Sequence, residues 1–266
     1  MAYISLSTRD INILEKIKDP ESDPSLAVQV DASLPRDPNI LNQEVYEQIA
    51  QQEREIILSI QKLELRSTGS QSGDASEVDI VGEYRECISR LGHLIETHQR
   101  YASAYNNRAQ ALRRLCGDWM LVSVAKQPPQ PLLQDIDDSE RLPMARTALN
   151  DLDTAIQLLT PTKPYSRLSP QTTRTLSMAH TQRAAIYHTT SKLLSSNPLS
   201  VDPGRREADW TKLDFEENAS RDFAMGGRYG NEIAKGLAVS TNPTAKLCGQ
   251  MVREAMKNEY GLDCAV

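Results

Sequence analysis

The chain has 266 residues, 39% of them hydrophobic and 25% charged, enough apolar surface for a soluble core in one large domain or two small ones. Aromatic residues make up only 5%, which starves a β-sandwich or barrel, and a formal charge of −6 without a basic cluster speaks against nucleic acid as a partner. No run approaches the roughly eighteen apolar residues of a membrane span, so no membrane association is expected.

Met1 to Asp10 lacks a basic region followed by an apolar stretch, so no secretory signal is expected. Cys87, Cys116, Cys248 and Cys264 show neither metal-type nor redox-type spacing. Reduced thiols in the cytoplasm, with the nucleus as a second compartment, are the plain expectation.

Residues 7–18 read as a short amphipathic helix capped by Ser7 or Thr8, with Ile11, Leu14 and Ile17 on one face. Asp19-Pro20 ends it, and the proline-bearing stretch to residue 41 completes an N-terminal arm, 1–41. A long helix is expected over 42–65, with Tyr46, Ile49, Ile56, Ile57, Ile60 and Leu63 along one side. A Ser/Gly-rich loop follows, then a helix over 79–99 with Cys87, Leu91 and Leu94 on one face. The next helix, 101–116, ends at Gly117-Asp118.

The segment 119–143, with Pro128-Pro129-Gln130-Pro131 and an acidic patch ending at Asp138, reads as an insert before a helix over 144–159. Pro161, Pro164 and Pro170 punctuate the connection to a helix over 171–194. A second insert, 195–208, carries Pro198, Pro203 and Gly204, and its composition suggests a disordered surface loop. A helix over 210–225 stops at Gly226-Gly227. Two terminal helices, 231–239 and 243–260, precede a tail at 261–266, and Gly261 is a natural stop.

Two of these stretches carry a recognisable spacing. Tyr105, Ala109 and Leu112 run on to Gly117-Asp118, and Ala148, Leu152 and Ala155 run on to Pro161. They resemble the two helices of a tetratricopeptide repeat, separated by the insert. His180, Arg183, Ala184 and Tyr187, with Ala219 and Phe223, resemble a degraded further copy. The expected fold is therefore all-α: a tetratricopeptide-type solenoid of three helical hairpins with C-terminal capping helices. Repeat 1 spans 42–99, repeat 2 spans 101–161, repeat 3 spans 171–226, and the caps span 231–260, all within a repeat domain at 42–260.

The run Ala102-Ser-Ala-Tyr-Asn-Asn-Arg-Ala-Gln110, the ending Asn242-Pro243 with Ala245, Leu247, Cys248 and Met251, and the early Leu14 to Pro20 are similar to the tetratricopeptide repeat protein 36 family. That resemblance implies a three-repeat adaptor associated with the chaperone Hsp70, and a link to the enzymes of tyrosine breakdown. Asn107 stands where repeat proteins that grip Hsp70 tails place a clamp asparagine. Met178 and Gln182 stand where the clamp's Lys and Arg fall, so a complete carboxylate clamp is not expected.

Ser103, Asn106, Asn107, Gln110, Arg113 and Arg114 are expected to line a concave face, joined by Gln182 and His188 from the third repeat. Amide and cationic donors at helical spacing suit peptide carbonyls or an acidic segment. A solvated helix face is the competing explanation. The helix at 7–18 either caps the first repeat or lies in that groove. Arg108 and Arg183 occupy matching places in two repeats, as do Asp151 and Asp222 in the partner helices, so two buried structural pairs are expected, Arg108–Asp151 and Arg183–Asp222. Cys116 lies beside Arg113 and Arg114, which leaves open either a lowered thiol pKa or simple packing.

His93 and His98 fall on different helix faces, and His180 and His188 are too far apart along a helix to share a metal, so neither a metal nor a cofactor is expected. Nucleophile, phosphate-loop and dinucleotide motifs are absent. The expected function is that of a non-enzymatic protein-binding adaptor; a self-associating subunit using the C-terminal helix is the alternative, and the oligomeric state stays open.

Overall fold

A computed structural model describes residues 28–69, 80–123, 131–133, 136–163 and 166–260. The helix expected at 7–18, most of the Ser/Gly-rich loop and the tail at 261–266 lie outside these residues.

Local sequence sets where the helices begin. Asn42 accepts from the backbone N–H groups of Glu44 and Val45 at 2.9 and 3.2 Å and opens α1, Gln43–Gly69. α2 spans Ile80–Thr97 and α3 spans Ala102–Cys116. Asp137 caps α4, Asp138–Leu159; Ser169 caps α5, Pro170–Leu193, whose first residue is a proline with no N–H to lose. Thr211 and Asp214 form a reciprocal capping box at the start of α6, Lys212–Arg228. Asn231 caps α7, Glu232–Thr241, and Asn242 opens α8, Pro243–Tyr260. Among the described residues there is no strand, only isolated bridges such as Val30 with Leu168.

Each helix packs on its neighbours in chain order, from α1 against α2 through to α7 against α8, and α3 also touches α5. This is the packing of a tetratricopeptide-like helical solenoid. Small residues make it close: Ala102, Ala109, Ala148, Ala155, Ala179, Ala184 and Ala219 are all completely buried. Tyr84, Leu91, Leu112, Leu149, Leu152, Leu176, Tyr187 and Phe215 fill the space between them.

Three expectations are corrected, and one open alternative is decided. The segment 119–143 is not wholly an insert: Trp119, Met120, Leu121 and Val122 are core residues, and α4 begins at Asp138, with Pro143 inside it. Arg141, completely buried, explains the early start, because it donates to the Met120 carbonyl, to Asp138 at 2.8 Å and to the Ser200 hydroxyl at 2.7 Å.

The second insert is ordered. Ser200 N–H donates to the Leu121 carbonyl at 2.9 Å, Ser123 N–H donates to the Pro198 carbonyl at 3.1 Å, and Glu207 is completely buried. Its prolines and glycine signal a lack of helix, not a lack of structure.

Gly226-Gly227 does not stop α6, which runs on to Arg228. A Cβ at Gly226 would lie 2.5 Å from the Thr181 hydroxyl, and one at Gly227 would lie 2.8 Å from the Lys235 backbone. The pair permits close approach of α5 and α7; the turn comes at Gly230, whose φ is +102°. Of the two alternatives at Cys116, packing is the one supported: the thiol is buried against Met144, and burial pushes its pKa up to about 12.

Candidate functional site: a groove along α1, α3 and α5

Two adjoining cavities run along the inner faces of α1, α3 and α5 and share Ile57, Gln61 and Asn107. The upper one, about 780 Å³, lies between α1 and α3, with Ile57, Ile60 and Leu65 facing Gln110, Arg113 and Arg114. The lower one, about 550 Å³, adds Arg174 and Met178 from α5, and Ala32, Leu34 and Arg36 from the arm before α1.

A buried carboxylate sits in the floor of the groove. Glu53 accepts from the Tyr101 hydroxyl at 2.6 Å, the Ser103 hydroxyl at 3.1 Å and the Asn107 amide at 2.7 Å. Desolvation raises its pKa above the ordinary carboxylate value, and those three donors oppose the rise. Glu53 lies between Tyr46, Ile49 and Ile56 on the buried stripe of α1. A lone acid at helical spacing inside an apolar stripe was the available signal for it, and sequence reasoning passed over it.

The side chains expected on the concave face fall into four groups. Gln110 is exposed and open. Asn107, Arg113 and Arg114 line the groove but are already engaged: Arg113 donates to Asp118 at 2.7 Å and to Gln182 at 3.2 Å, and Arg114 pairs bidentately with Glu64 at 2.8 and 3.1 Å.

Ser103, Asn106 and Gln182 are buried, and the Gln182 amide donates to the Asn106 side chain at 2.8 Å. These two tie α3 to α5, and Ser103 and Asn106 also line the lower cavity. His188 lies off the groove, against Phe223 at 6.1 Å between ring centres; burial, then Lys192 and Lys246, lower its pKa.

Arginines that the repeat pattern did not single out hold the open charge. Arg36, Arg54 and Arg174 are exposed around the lower cavity. Arg36 stacks over the Tyr46 ring at 5.7 Å. Arg54 and Arg174 make no ion pair among the described residues.

Behind the groove wall lie the two matched pairs. Arg108 grips Asp151 bidentately, both bonds at 2.7 Å. Arg183 grips Asp222 at 2.6 and 2.7 Å, donates to Asp153 at 2.6 Å, and shares Asp222 with the His180 ring at 2.8 Å. Desolvation works to raise the Asp222 carboxyl, but Arg183 and then His180 outweigh it and hold it below the ordinary value. The folded second insert extends this network: Arg205 bridges Asp153 and Glu207, and Tyr187 donates to Glu207 at 2.6 Å.

Among the described residues, no group of three or more His, Cys, Asp or Glu is arranged to hold a metal ion, and no helix is long and apolar enough to cross a membrane. Successive helix pairs packed in chain order beside a groove define a protein of the helical-repeat class.

The chain is 35% identical over 260 residues to the L-tyrosine degradation gene cluster protein hmgX of Aspergillus fumigatus, covering 96% of this chain and 93% of that one. It is 27% identical over 254 residues to the tetratricopeptide repeat protein 36 homolog of Drosophila melanogaster, covering 96% of each. The homolog from Drosophila pseudoobscura is likewise 27% identical, over 256 residues and 95% of each chain. No family model matches the chain, and no solved structure matches it. The chain belongs to the tetratricopeptide repeat protein 36-like family.

Proposed function

We propose that this protein is a non-enzymatic adaptor that holds a segment of a partner protein in the α1–α3–α5 groove, and that the partner is an enzyme of L-tyrosine breakdown. The adaptor class follows from the tetratricopeptide relatives. The partner is inferred from the 35% identity, over nearly the whole chain, to a protein named for an L-tyrosine degradation cluster. The observation that carries the groove is its preorganisation: Glu53, Asn107 and the Arg114–Glu64 pair are locked before any ligand arrives. That lowers the ordering cost of binding. Arg54 and Arg174 supply the open charge, which favours an acidic partner segment.

Of the partners that the family resemblance implies, Hsp70 has the weaker support. Met178 offers no charge, and Gln182 is buried between Asn106 and Arg113, so two clamp positions lack a cationic donor. Action in the cytoplasm, extending to the nucleus, belongs to the same proposal and is in keeping with the free thiols of Cys87, Cys116 and Cys248.

Titration calorimetry with each purified enzyme of L-tyrosine breakdown tests the reading. One enzyme is expected to bind, and Arg54→Glu with Arg174→Glu to weaken it at least tenfold. Binding by none of them, or binding indifferent to the double change, refutes it.

A second reading has one observation in its favour. Leu247, Met251, Val252 and Met256 are exposed apolar residues on α8, which suits self-association through the last helix. A mass in solution that grows with concentration, and that falls to the monomer with Met251→Glu, is the expected sign of it.

A further inference from the structure

We propose that the groove reads an extended partner segment with a fixed chemical order: neighbouring acids in the lower cavity, and large apolar side chains about five residues away in the upper one. The inference rests on the groove being the binding surface, and three features of the molecule carry it.

The first is a cationic lower cavity built from three elements. Arg36 from the arm, Arg54 from α1 and Arg174 from α5 are exposed and line it. The Ser169 and Thr172 hydroxyls donate to the Arg36 carbonyl at 2.9 and 3.2 Å, which holds the arm against the start of α5. Arg54 and Arg174 make no ion pair among the described residues. Glu53 is the one acid among the described residues of this lining; it is buried and accepts from Tyr101, Ser103 and Asn107. The open charge is therefore positive, and guanidinium forks suit carboxylates.

The second is the contrast with the upper cavity. Its charges are matched within the chain: Arg114 grips Glu64 at 2.8 and 3.1 Å, and Arg113 donates to Asp118 at 2.7 Å. The surface left for a ligand is largely apolar. Ile57, Ile60 and Ala111 lie in its wall, and Leu65 lines it while 73% exposed. Covering such a leucine with an apolar side chain removes its surface from water.

The third is backbone chemistry and length. Gln61 from α1 lines both cavities and Gln110 from α3 lines the upper one; both are exposed. Their amides suit an extended segment, whose N–H and C=O groups need partners, whereas a helix satisfies its own. From Arg54 to Leu65 α1 rises roughly 16 Å, which an extended chain covers in about five residues.

The test uses the full chain and fluorescein-labelled synthetic peptides, with binding read by anisotropy. Two peptides carry a pair of aspartates and a pair of leucines separated by serines, one with the acids first and one with the leucines first. A third has the same composition, with aspartates and leucines alternating. One of the two ordered peptides is expected to bind at least tenfold more tightly than the alternating one, and Arg54→Glu with Arg174→Glu is expected to remove that preference. Exchanging its leucines for serines is expected to cost at least fivefold against the unaltered protein and less than about twofold against Leu65→Glu. All three altered residues are exposed, so the fold is left intact, which circular dichroism verifies.

Equal binding of the three peptides overturns the inference while leaving the groove as a partner site. Binding by none of them overturns it too, and the calorimetry with purified enzymes then judges the groove separately. A preference that survives the arginine changes, or a leucine effect undiminished in Leu65→Glu, places the peptide on another surface and also overturns it.

Discussion

Replacing Asp151 or Asp222 by Asn separates the two matched ion pairs by their surroundings. Each change keeps the side-chain volume and removes the charge that faces a guanidinium. The Asp151 side chain is 3% exposed and its partner Arg108 is 20% exposed; in the second pair the figures are 6% and 13%. Burial alone puts Arg183 in the harsher position. Arg183, however, keeps Asp153 at 2.6 Å when Asp222 is lost, whereas no other direct carboxylate contact to Arg108 is present among the described residues.

Removing one member of a buried pair costs about 3–5 kcal/mol when the remaining charge has nowhere to go. Water at the exposed fifth of Arg108 and the residual Asp153 contact at Arg183 both reduce that, so about 2–3 kcal/mol is expected for each variant. Asp222→Asn together with Asp153→Asn strips Arg183 of both partners and is expected to exceed the sum of the single changes by at least about 1 kcal/mol.

Urea unfolding followed by circular dichroism reads these values. A loss below about 0.5 kcal/mol for both single variants, or strict additivity at Arg183, would refute the view that these arginines are held by buried carboxylates.

Four further outcomes are expected. Gly226→Ala and Gly227→Ala are each expected to destabilise by about 1–3 kcal/mol through overpacking, despite the better helix propensity of alanine, because their Cβ atoms would meet Thr181 and Lys235; a rise in thermal midpoint would contradict the close-approach role. Desolvation raises the Glu53 carboxyl, so the folded state keeps a proton that the unfolded chain has released, and stability from this group falls as pH rises through its titration window. The stability gap between the unaltered protein and Glu53→Gln is therefore expected to shrink from pH 4 toward pH 7, as measured by urea midpoints; a gap that widens reverses the sign argued here. Glu207→Ala is expected to expose residues 195–208 to limited proteolysis, since Tyr187, Arg205 and Arg206 all bond to that carboxylate; unchanged cleavage would mean that the insert is held some other way. Cys248, exposed, is expected to react with a thiol reagent at pH 8 far faster than Cys116, whose thiol is buried and shifted up to about 12.

The helical class was legible because local chemistry and periodicity agree. Asn42, Ser169, Thr211, Asn231 and Asn242 are side chains that cap helices, and each stands at a helix start. The family was legible from the run Ala102 to Gln110, in which Ala102, Ala104 and Ala109 are completely buried and let neighbouring helices approach closely.

The start of α4 was not, because Pro143 reads as a boundary, and nothing local announces that Arg141 reaches Met120 and Ser200, distant in sequence. Composition misjudged residues 195–208 for a related reason: their order comes from Glu207 and a bridge to Val122. In the groove, helical spacing put Asn106 and Asn107 on the inner side alike, and both line the lower cavity, yet the contact between α3 and α5 buries Asn106 against Gln182 while Asn107 stays partly exposed. Arg36 escaped notice because it comes from the arm, outside any repeat pattern.

The inner face as the place where a partner segment lies is tested most directly by photo-crosslinking with the enzyme that binds in calorimetry. A photoreactive side chain is placed at Gln110, open to the groove, or at Arg146, 61% exposed on the outer side of α4. Covalent capture of the enzyme from Gln110, with none from Arg146, is the expected result. Capture from Arg146 with none from Gln110 would contradict it.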